Sequence, residues 1–375
     1  MMALHWLGMM LAALALIGCG YQLFAAVALK LFCARPRAPG GTAEPVTILK
    51  PLHGDEPQLA ANLATFLAQN YGVPVQLLCG VSDPQDPAIG VVKRLQAEHP
   101  GSIDLVINPA THGANAKIGN LINMLPSARH DIMIVSDSDM AVGQDYLATI
   151  VSTLNQPGVG AVTCLYRGQA DTGTWSEIAA GTISYWGLPD IIVGLTTGLA
   201  QPCMGSTIAL RRDTLEAIGG FDRFADVLAD DHAIGQAVRE AGLRVVVPPM
   251  LLVHACAETS ATSLWRHELR WAATIRSLQP VGYAGSIVTN PLPLAILAST
   301  LLGPLGVALT LLSLAIRVFL LKRVDRIAGT STAPLWLLPV IDCLKFAIFF
   351  ASFFVSTVDW RGARYTMAAK GGIIA

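Results

Sequence analysis

The sequence predicts an α/β domain with a mostly parallel sheet, set between apolar segments able to cross a membrane. Three observations lead there. Only 14% of the 375 residues are charged and 53% are hydrophobic, against roughly a quarter charged in an ordinary soluble chain. The apolar residues concentrate towards the two ends of the chain. The middle alternates short β-rich runs with amphipathic helical ones, and continuous apolar strands of that kind belong to a sheet covered on both faces.

The N-terminal stretch has no Lys, Arg, Asp or Glu from Met1 to Leu29, and Lys30, Arg35 and Arg37 follow directly. A secretory leader carries its basic residues ahead of the apolar run, so residues 1–38 read as an anchor long enough to span a bilayer. The positive-inside rule then puts the chain after Lys30 in the cytoplasm.

Residues 39–276 are more charged and form the expected α/β domain. Strands are expected at 46–52, 76–82, 103–107, 131–136, 159–166 and 243–248, with helices at 56–69, 87–98, 144–155 and 230–241. Ligands of such sheets bind outside the carboxyl ends of the strands. Asp83, in "GVSDPQDP", and the pair Asp137 and Asp139, in "SDSDM", fall there.

Residues 277–375 form a C-terminal membrane region. The uncharged tract from Ser277 to Ile316 is broken by Pro280, Pro291, Pro293, Gly303, Pro304 and Gly306. It reads either as a hairpin or as an interfacial segment plus one span. Arg317, Lys322, Arg323 and Arg326 follow as a basic cluster expected on the cytoplasmic side. A third tract, Ala333 to Val358, contains Asp342 and Lys345. Three apart on a helix, these two either pair with each other or face protein rather than lipid.

Several functions are disfavoured at once. The net charge is −1 and no basic run occurs, so no nucleic-acid partner is expected. Seven cysteines without a CxxC support neither a zinc site nor a disulfide framework, and read as small core residues. There is no G-x-G-x-x-G opening a helix and no Walker lysine motif. A bound diphosphate would need another source of positive charge, and a divalent metal held by carboxylates supplies one.

The carboxylates fit that requirement. In an extended chain residues i and i+2 project to one side, so Asp137 and Asp139 converge while Ser138 points away. Paired oxygen ligands suit Mg²⁺ or Mn²⁺; a solvated loop is the other reading of the tripeptide. Asp83 precedes Pro84, which holds it extended at the sheet edge, although Asp-Pro also opens ordinary turns. In "LADDHAIGQAVREAGL" Asp230 reads as the N-cap of a helix. Asp231 then lies in the first turn, where the helix dipole favours an ionised carboxylate suited to a general base; capping explains Asp230 fully and Asp231 in part. "HELRW" places Arg270 and Trp271 on a helix, either as an interfacial anchor or to meet phosphate and a sugar face. Lys50 and Lys117, the latter in "GANAKIGN", are placed to meet a diphosphate or to lie on the surface.

The order of "KPLHGDEP", "GVSDPQDPA", "ANAKIGNLINM", "SDSDM", "QPCMGSTIALRRDTLEAIGGF", "LADDHAIG" and "HELRW" resembles a family pattern. It is that of the processive-type family 2 glycosyltransferases, D, D-x-D, D, (Q/R)xxRW, in the branch containing ceramide glucosyltransferases, family 21. The resemblance covers roughly residues 45–275. It implies a GT-A-type nucleotide-diphospho-sugar transferase domain between membrane helices, and an inverting, metal-dependent transfer from a UDP-sugar to a membrane lipid in the bilayer. By position, Asp83 would contact the uridine moiety, Asp137 and Asp139 the diphosphate-bound metal, and Asp231 would be the base. Arg270 and Trp271 match the RW. His267 stands where the pattern has Gln or Arg; an imidazole still donates a hydrogen bond, with phosphate binding there becoming pH-dependent.

Within that branch, "GVGAVTCLYRG" and "HELRWAATIRSLQPVGYAGSIVTNPLPLA" resemble the bacterial hopanoid-biosynthesis glycosyltransferases. That implies UDP-N-acetylglucosamine as donor, bacteriohopanetetrol as acceptor, and a multi-pass protein of the bacterial inner (cytoplasmic) membrane with its catalytic domain in the cytoplasm. The alternatives are a ceramide or other lipid glucosyltransferase, a polysaccharide synthase, and an inactive lipid-binding scaffold that keeps the fold. Residues 184–205 then read as the wall of the acceptor entrance or as a buried core helix plus loop.

Overall fold

The computed structural model describes residues 2–355, 357–360, 363–367 and 373–374. In chain order the helix α1 (Met2–Cys33) leads into strand β1 (Val46–Pro51), helix α2 (Leu59–Leu67), β2 (Val75–Val81), α3 (Ala88–Glu98) and β3 (Ile103–Ile107). Next come α4 (Ala116–Met124), β4 (Ile132–Val135), β5 (Met140–Ala141), α5 (Tyr146–Leu154), β6 (Val159–Val162) and β7 (Leu165–Ala170). The helices α6 (Gly173–Thr182) and α7 (Leu188–Thr197) are joined through a π-helical turn, and β8 (Ile208–Arg211), α8 (Arg212–Ala217) and α9 (Asp230–Glu240) follow. The chain continues through β9 (Arg244–Val246), β10 (Leu251–Cys256) and α10 (Ala261–Leu278) into α11 (Pro280–Gly285), α12 (Pro291–Leu302), α13 (Pro304–Ala328) and α14 (Leu338–Ser352).

Strand β1 is buried along its whole length because both of its faces meet apolar layers. Val46 and Ile48 join Leu63, Phe66 and Ile150 on the side of α2, α3 and α5. Leu49 joins Leu78, Ile118 and Phe221 on the side of α4 and α9. The main sheet runs β3-β2-β1-β4-β8-β6-β9. Strands β3, β2, β1 and β4 are parallel, β8 is antiparallel to both its neighbours, and β9 is parallel to β6. A second sheet, β5-β10-β7, sits beside it.

Each expected strand has a counterpart, but 159–166 is divided between the two sheets. At Thr163 the backbone N–H still donates to Val246 of the main sheet, while Leu165 is already paired with Leu251 of the second. Neither Gly nor Pro marks the break. Helix α4 and strand β8 were not expected; the Asn115 cap, which accepts from the N–H groups of Lys117 and Ile118, is the local reason α4 starts where it does. Helix α9 begins at Asp230, so Asp230 lies inside its first turn rather than at the N-cap, where it was expected.

The ends of the chain meet in one helical bundle: α1 packs along α12 and α13, and also against α7. A Cβ at Gly18 would stand 2.3 Å from the Val288 carbonyl, so α1 approaches that turn closely only because residue 18 is glycine. Helix α1, Gly173–Thr197, α13 and Leu335–Ser352 are each long and apolar enough to cross a membrane, and the bent pair around Asn290 turns through 63°. In Gly173–Thr197, 67% of the most apolar window is buried within the protein, and a helix runs on to Thr197 before the loop, as one of the two readings of 184–205 had it.

Two sequence expectations are corrected here. Helix α13 runs on through Arg317, which is buried and bound by Asp342 through Nε (2.8 Å) and Nη2 (2.6 Å), so it is no part of an exposed basic cluster. Asp342 and Lys345 do not pair with each other: Lys345 donates to Glu268 of α10 at 2.8 Å. Both face protein, which is what keeps charge tolerable on an apolar helix.

Candidate functional site

The site begins where β4 ends. Met140 N–H reaches back to the Asp137 carbonyl at 3.4 Å, so residues 137–140 form a turn rather than the extended stretch expected. Ser138 still points away from the two carboxylates, as expected, while Asp137 and Asp139 take their partners on different sides, Lys117 and His254. Ser138 is buried and donates to Glu56 Oε1 at 2.7 Å. The side chains of Asp137 and Asp139 are 33% and 37% exposed.

Lys50 holds this turn from beneath. Its Nζ donates to Ser136 Oγ (3.0 Å) and to the Asp137 carbonyl (2.7 Å), and lies 3.6 Å from the centre of the Phe66 ring. Burial brings the ammonium down to about 7 against the pull of Asp139 and Asp137. With no exposed surface, Lys50 does not reach a diphosphate, and the sequence expectation for it is replaced by this supporting role.

Lys117 links two carboxylates. From the first turn of α4 its Nζ lies 2.8 Å from Asp137 Oδ1 and 3.3 Å from Asp230 Oδ2. Burial works against its charge, but Asp137 and Asp230 outweigh that and hold it firmly protonated. Asn115 ties the same helix to α9, donating to the Val227 carbonyl at 2.7 Å and to Asp230 Oδ1 at 3.3 Å.

Gly205 joins Asp137 to Asp231. Its carbonyl accepts from Asp137 N–H at 3.1 Å, and its own N–H donates to Asp231 Oδ2 at 3.1 Å. A Cβ there would stand 2.4 Å from Asp137 Oδ2 and 2.9 Å from Lys117 Nζ, so the approach requires glycine. Burial first, and then the neighbouring Asp230, lift the Asp231 carboxyl to about 6, with Lys117 and the His232 N–H pulling the other way. Desolvation thus outweighs the helix terminus that the sequence reading relied on.

Asp139 turns to the opposite wall. Its Oδ2 lies 3.2 Å from Nε2 of His254 on β10. Burial opposes charge on both, yet each holds the other ionised: His254 is raised well above the usual imidazole range and Asp139 is lowered. The His254 ring stacks on Tyr166 at 5.5 Å and meets the edge of Trp271 at 6.2 Å. Trp271 in turn stands 4.4 Å from His267, whose Nδ1 lies 2.6 Å from Glu258 Oε1. Arg270 is half-buried beside Trp271 on α10. Asp139, His254, Glu258 and His267 bound an open cavity of about 370 Å³. The sequence reading missed His254; its one signal was a histidine inside the apolar run "LLVHAC".

Asp83 is exposed at the end of β2, where Oδ1 accepts from Gln85 N–H at 2.8 Å in an Asx turn. It lines a second cavity of about 400 Å³ with Leu52, His53, Ser82, Pro84, Pro109, Ala116 and Asn120. Asp86, also missed, is buried and accepts from the N–H groups of Gly54 and Ala88, fastening the loop after β1 to the start of α3. The Asp-Pro pair at 86–87 was its signal.

Among the described residues no three His, Cys, Asp or Glu side chains are grouped to hold an ion alone. Asp137 and Asp139 fit a divalent cation that takes its remaining oxygens from a diphosphate and water, the usual arrangement for Mg²⁺. The buried Oδ1 of Asp139, which has no hydrogen-bond partner, is consistent with that.

The sequence matches the model of Glycosyl transferase family 21 over residues 10–373. It is 25% identical over 248 residues to ceramide glucosyltransferase 1 of Caenorhabditis elegans, covering 64% of this chain and 52% of that one. To the ceramide glucosyltransferase of Candida albicans it is 34% identical over 125 residues, 30% of this chain and 23% of the other. The chain thus spans about half the length, or less, of these relatives. The structure resembles that of mannosyltransferase PcManGT from Pyrobaculum calidifontis in complex with GDP-Man and Mn²⁺, with a TM-score of 0.54, 21% identity, and coverage of 94% of this chain and 99% of that one. The shared fold is a GT-A-like α/β fold with a mixed, mostly parallel sheet.

Proposed function

We propose that this chain, which belongs to glycosyl transferase family 21, moves a sugar from a UDP-sugar to a hydroxyl of a membrane lipid, with inversion at the anomeric carbon. The observation that carries the reading is the link from Asp137 through Gly205 to Asp231, beside the Asp139–His254 pair. It sets the turn that would meet the diphosphate next to a carboxylate lifted towards neutrality. Asp231 takes the proton from the acceptor hydroxyl as its oxygen bonds to the anomeric carbon, and the bond to UDP breaks on the opposite side. Mg²⁺ or Mn²⁺ held by Asp137 and Asp139 would neutralise charge on the diphosphate. Lys117, Arg270 and His267 add donors on the departing side, Trp271 offers a face to the sugar, and Asp83 receives the uridine. Residues 39–276 would be the catalytic domain, with 1–38 and 277–375 in the membrane and the site opening on its cytoplasmic face. Four apolar helices and the bent pair support that placement.

The finer reading is transfer of N-acetylglucosamine to bacteriohopanetetrol in a bacterial inner membrane, carried by the stretches 158–168 and 267–295. A second reading, glucose transfer to ceramide, is supported by relatives that bear that name. Purified protein in detergent would be given labelled UDP-N-acetylglucosamine or UDP-glucose, Mg²⁺ or Mn²⁺, and either bacteriohopanetetrol or ceramide, with Asp231→Asn in parallel. Labelled hopanoid from the first donor, lost in the variant and on chelation, is the expected result. Labelled ceramide instead would favour the second reading. Folded protein that binds the donor and releases no UDP with either lipid would leave the inactive scaffold as the better description.

A further inference from the structure

We infer that Glu258 is a hydroxyl-binding residue of this site, receiving one hydroxyl of a polyhydroxylated group that enters the cavity bounded by Asp139, His254 and His267. The inference rests on the transferase reading above. Its side chain is 10% exposed and lines that cavity. One carboxylate oxygen, Oε1, lies 2.6 Å from His267 Nδ1, whereas Oε2 is buried and has no hydrogen-bond partner. A carboxylate oxygen removed from water and left unpaired is costly, so such an atom calls for a donor from a ligand.

The position is firmly built. Two residues after Glu258, Ser260 caps α10 in a reciprocal capping box with Ser263, which fixes the path from β10 into the helix. The same helix returns His267 to the Glu258 carboxylate, and Trp271 closes over His267. The carboxylate is thereby oriented before any ligand arrives. Among the described residues no trio of ligating side chains is grouped for an ion, so Oε2 is not explained as one of a metal set. A neutral O–H donor suits it, and a pyranose ring or a polyol headgroup presents several.

Two sources share that chemistry, the donor's sugar and the acceptor's headgroup, and binding separates them. Full-length wild type and Glu258→Ala would be titrated with UDP, UDP-N-acetylglucosamine and UDP-glucose, and acceptor KM measured with bacteriohopanetetrol and ceramide. A hydrogen bond to a charged group is worth enough that its loss is expected to weaken one ligand about tenfold or more. If the donor sugar is the ligand, Glu258→Ala weakens a UDP-sugar and leaves UDP alone. If the headgroup is, donor affinities hold and acceptor KM rises. Glu258→Gln, which keeps an acceptor oxygen, is expected to fall between, and carries the same comparison should the alanine variant not fold. Equal affinities and equal acceptor KM in wild type and variants would overturn the assignment while leaving the transferase reading intact. Wild type that binds neither UDP nor a UDP-sugar would remove both.

Discussion

Lys117 Nζ lies 2.8 Å from Asp137 Oδ1, so the buried ammonium on α4 and the partly exposed first carboxylate of the D-x-D turn form one ion pair. The same ammonium is 3.3 Å from Asp230, which couples the turn to the helix that carries Asp231. Lys117→Met removes that charge and leaves two carboxylates facing each other. Transfer is expected to fall about 100-fold. Retained activity with unchanged donor affinity would show that the pair is not used.

The lifted Asp231 gives a pH dependence with opposite signs for activity and stability. As the proposed base it must be ionised, so kcat/KM is expected to fall about tenfold per unit as pH drops well below 6. For folding, the raised value means that the folded state holds the proton more tightly than the unfolded one. Its contribution to stability is therefore present below the ordinary value of 3.8 and is lost as pH rises through about 6. Thermal melts of wild type and Asp231→Asn across that window test the second sign, and the pH–rate profile tests the first.

At Gly205 the test is steric. A methyl group there meets Asp137 Oδ2 at 2.4 Å and Lys117 Nζ at 2.9 Å, so the turn or the lysine must move. Displacement of that order is expected to cost about 100-fold in kcat. Because the backbone N–H and carbonyl remain, Gly205→Ala should still fold, as circular dichroism and gel filtration in detergent would report.

Glu268 of "HELRW" turns to α6 and α14. It accepts from Thr182 Oγ1 at 2.5 Å and from Lys345 Nζ at 2.8 Å, and it is buried. Lys345→Met strands this charge and is expected to destabilise the protein by about 3 kcal/mol. Adding Glu268→Gln should recover most of that loss, since the uncompensated charge goes with it. A double-mutant cycle on melting temperature in one detergent measures the recovery, and strictly additive losses would count against the pair.

Much of this was legible from local pattern. Strands such as "VTILKPL" and "DIMIVS" are apolar on both faces, which only a sheet covered twice accommodates, and short apolar runs ending in carboxylates mark the edge where ligands bind. The placing of Asp137 and Asp139 after a strand, of Asp231 at a helix start and of HELRW on a helix follows from residue type and spacing, whereas the turn at 137–140 does not. His254 did not stand out, because a histidine in an apolar strand looks like core until its partner is known. Lys50 looked like a phosphate ligand, because no local signal says that a strand-end lysine folds over Phe66.

By itself the sequence determined the class of the domain, the apolar ends, and which carboxylates stand at strand termini, since each depends on period, propensity and short spacing. Only the tertiary structure decided which charges pair: Lys117 with Asp137, His254 with Asp139, Arg317 with Asp342, and Lys345 with Glu268. The partners in these pairs lie between 20 and 115 residues apart, and no helical or strand period relates them. For Lys117, His254 and Asp139 the partner's charge also outweighs burial in setting proton affinity, and both partner and depth are properties of everything packed around a residue.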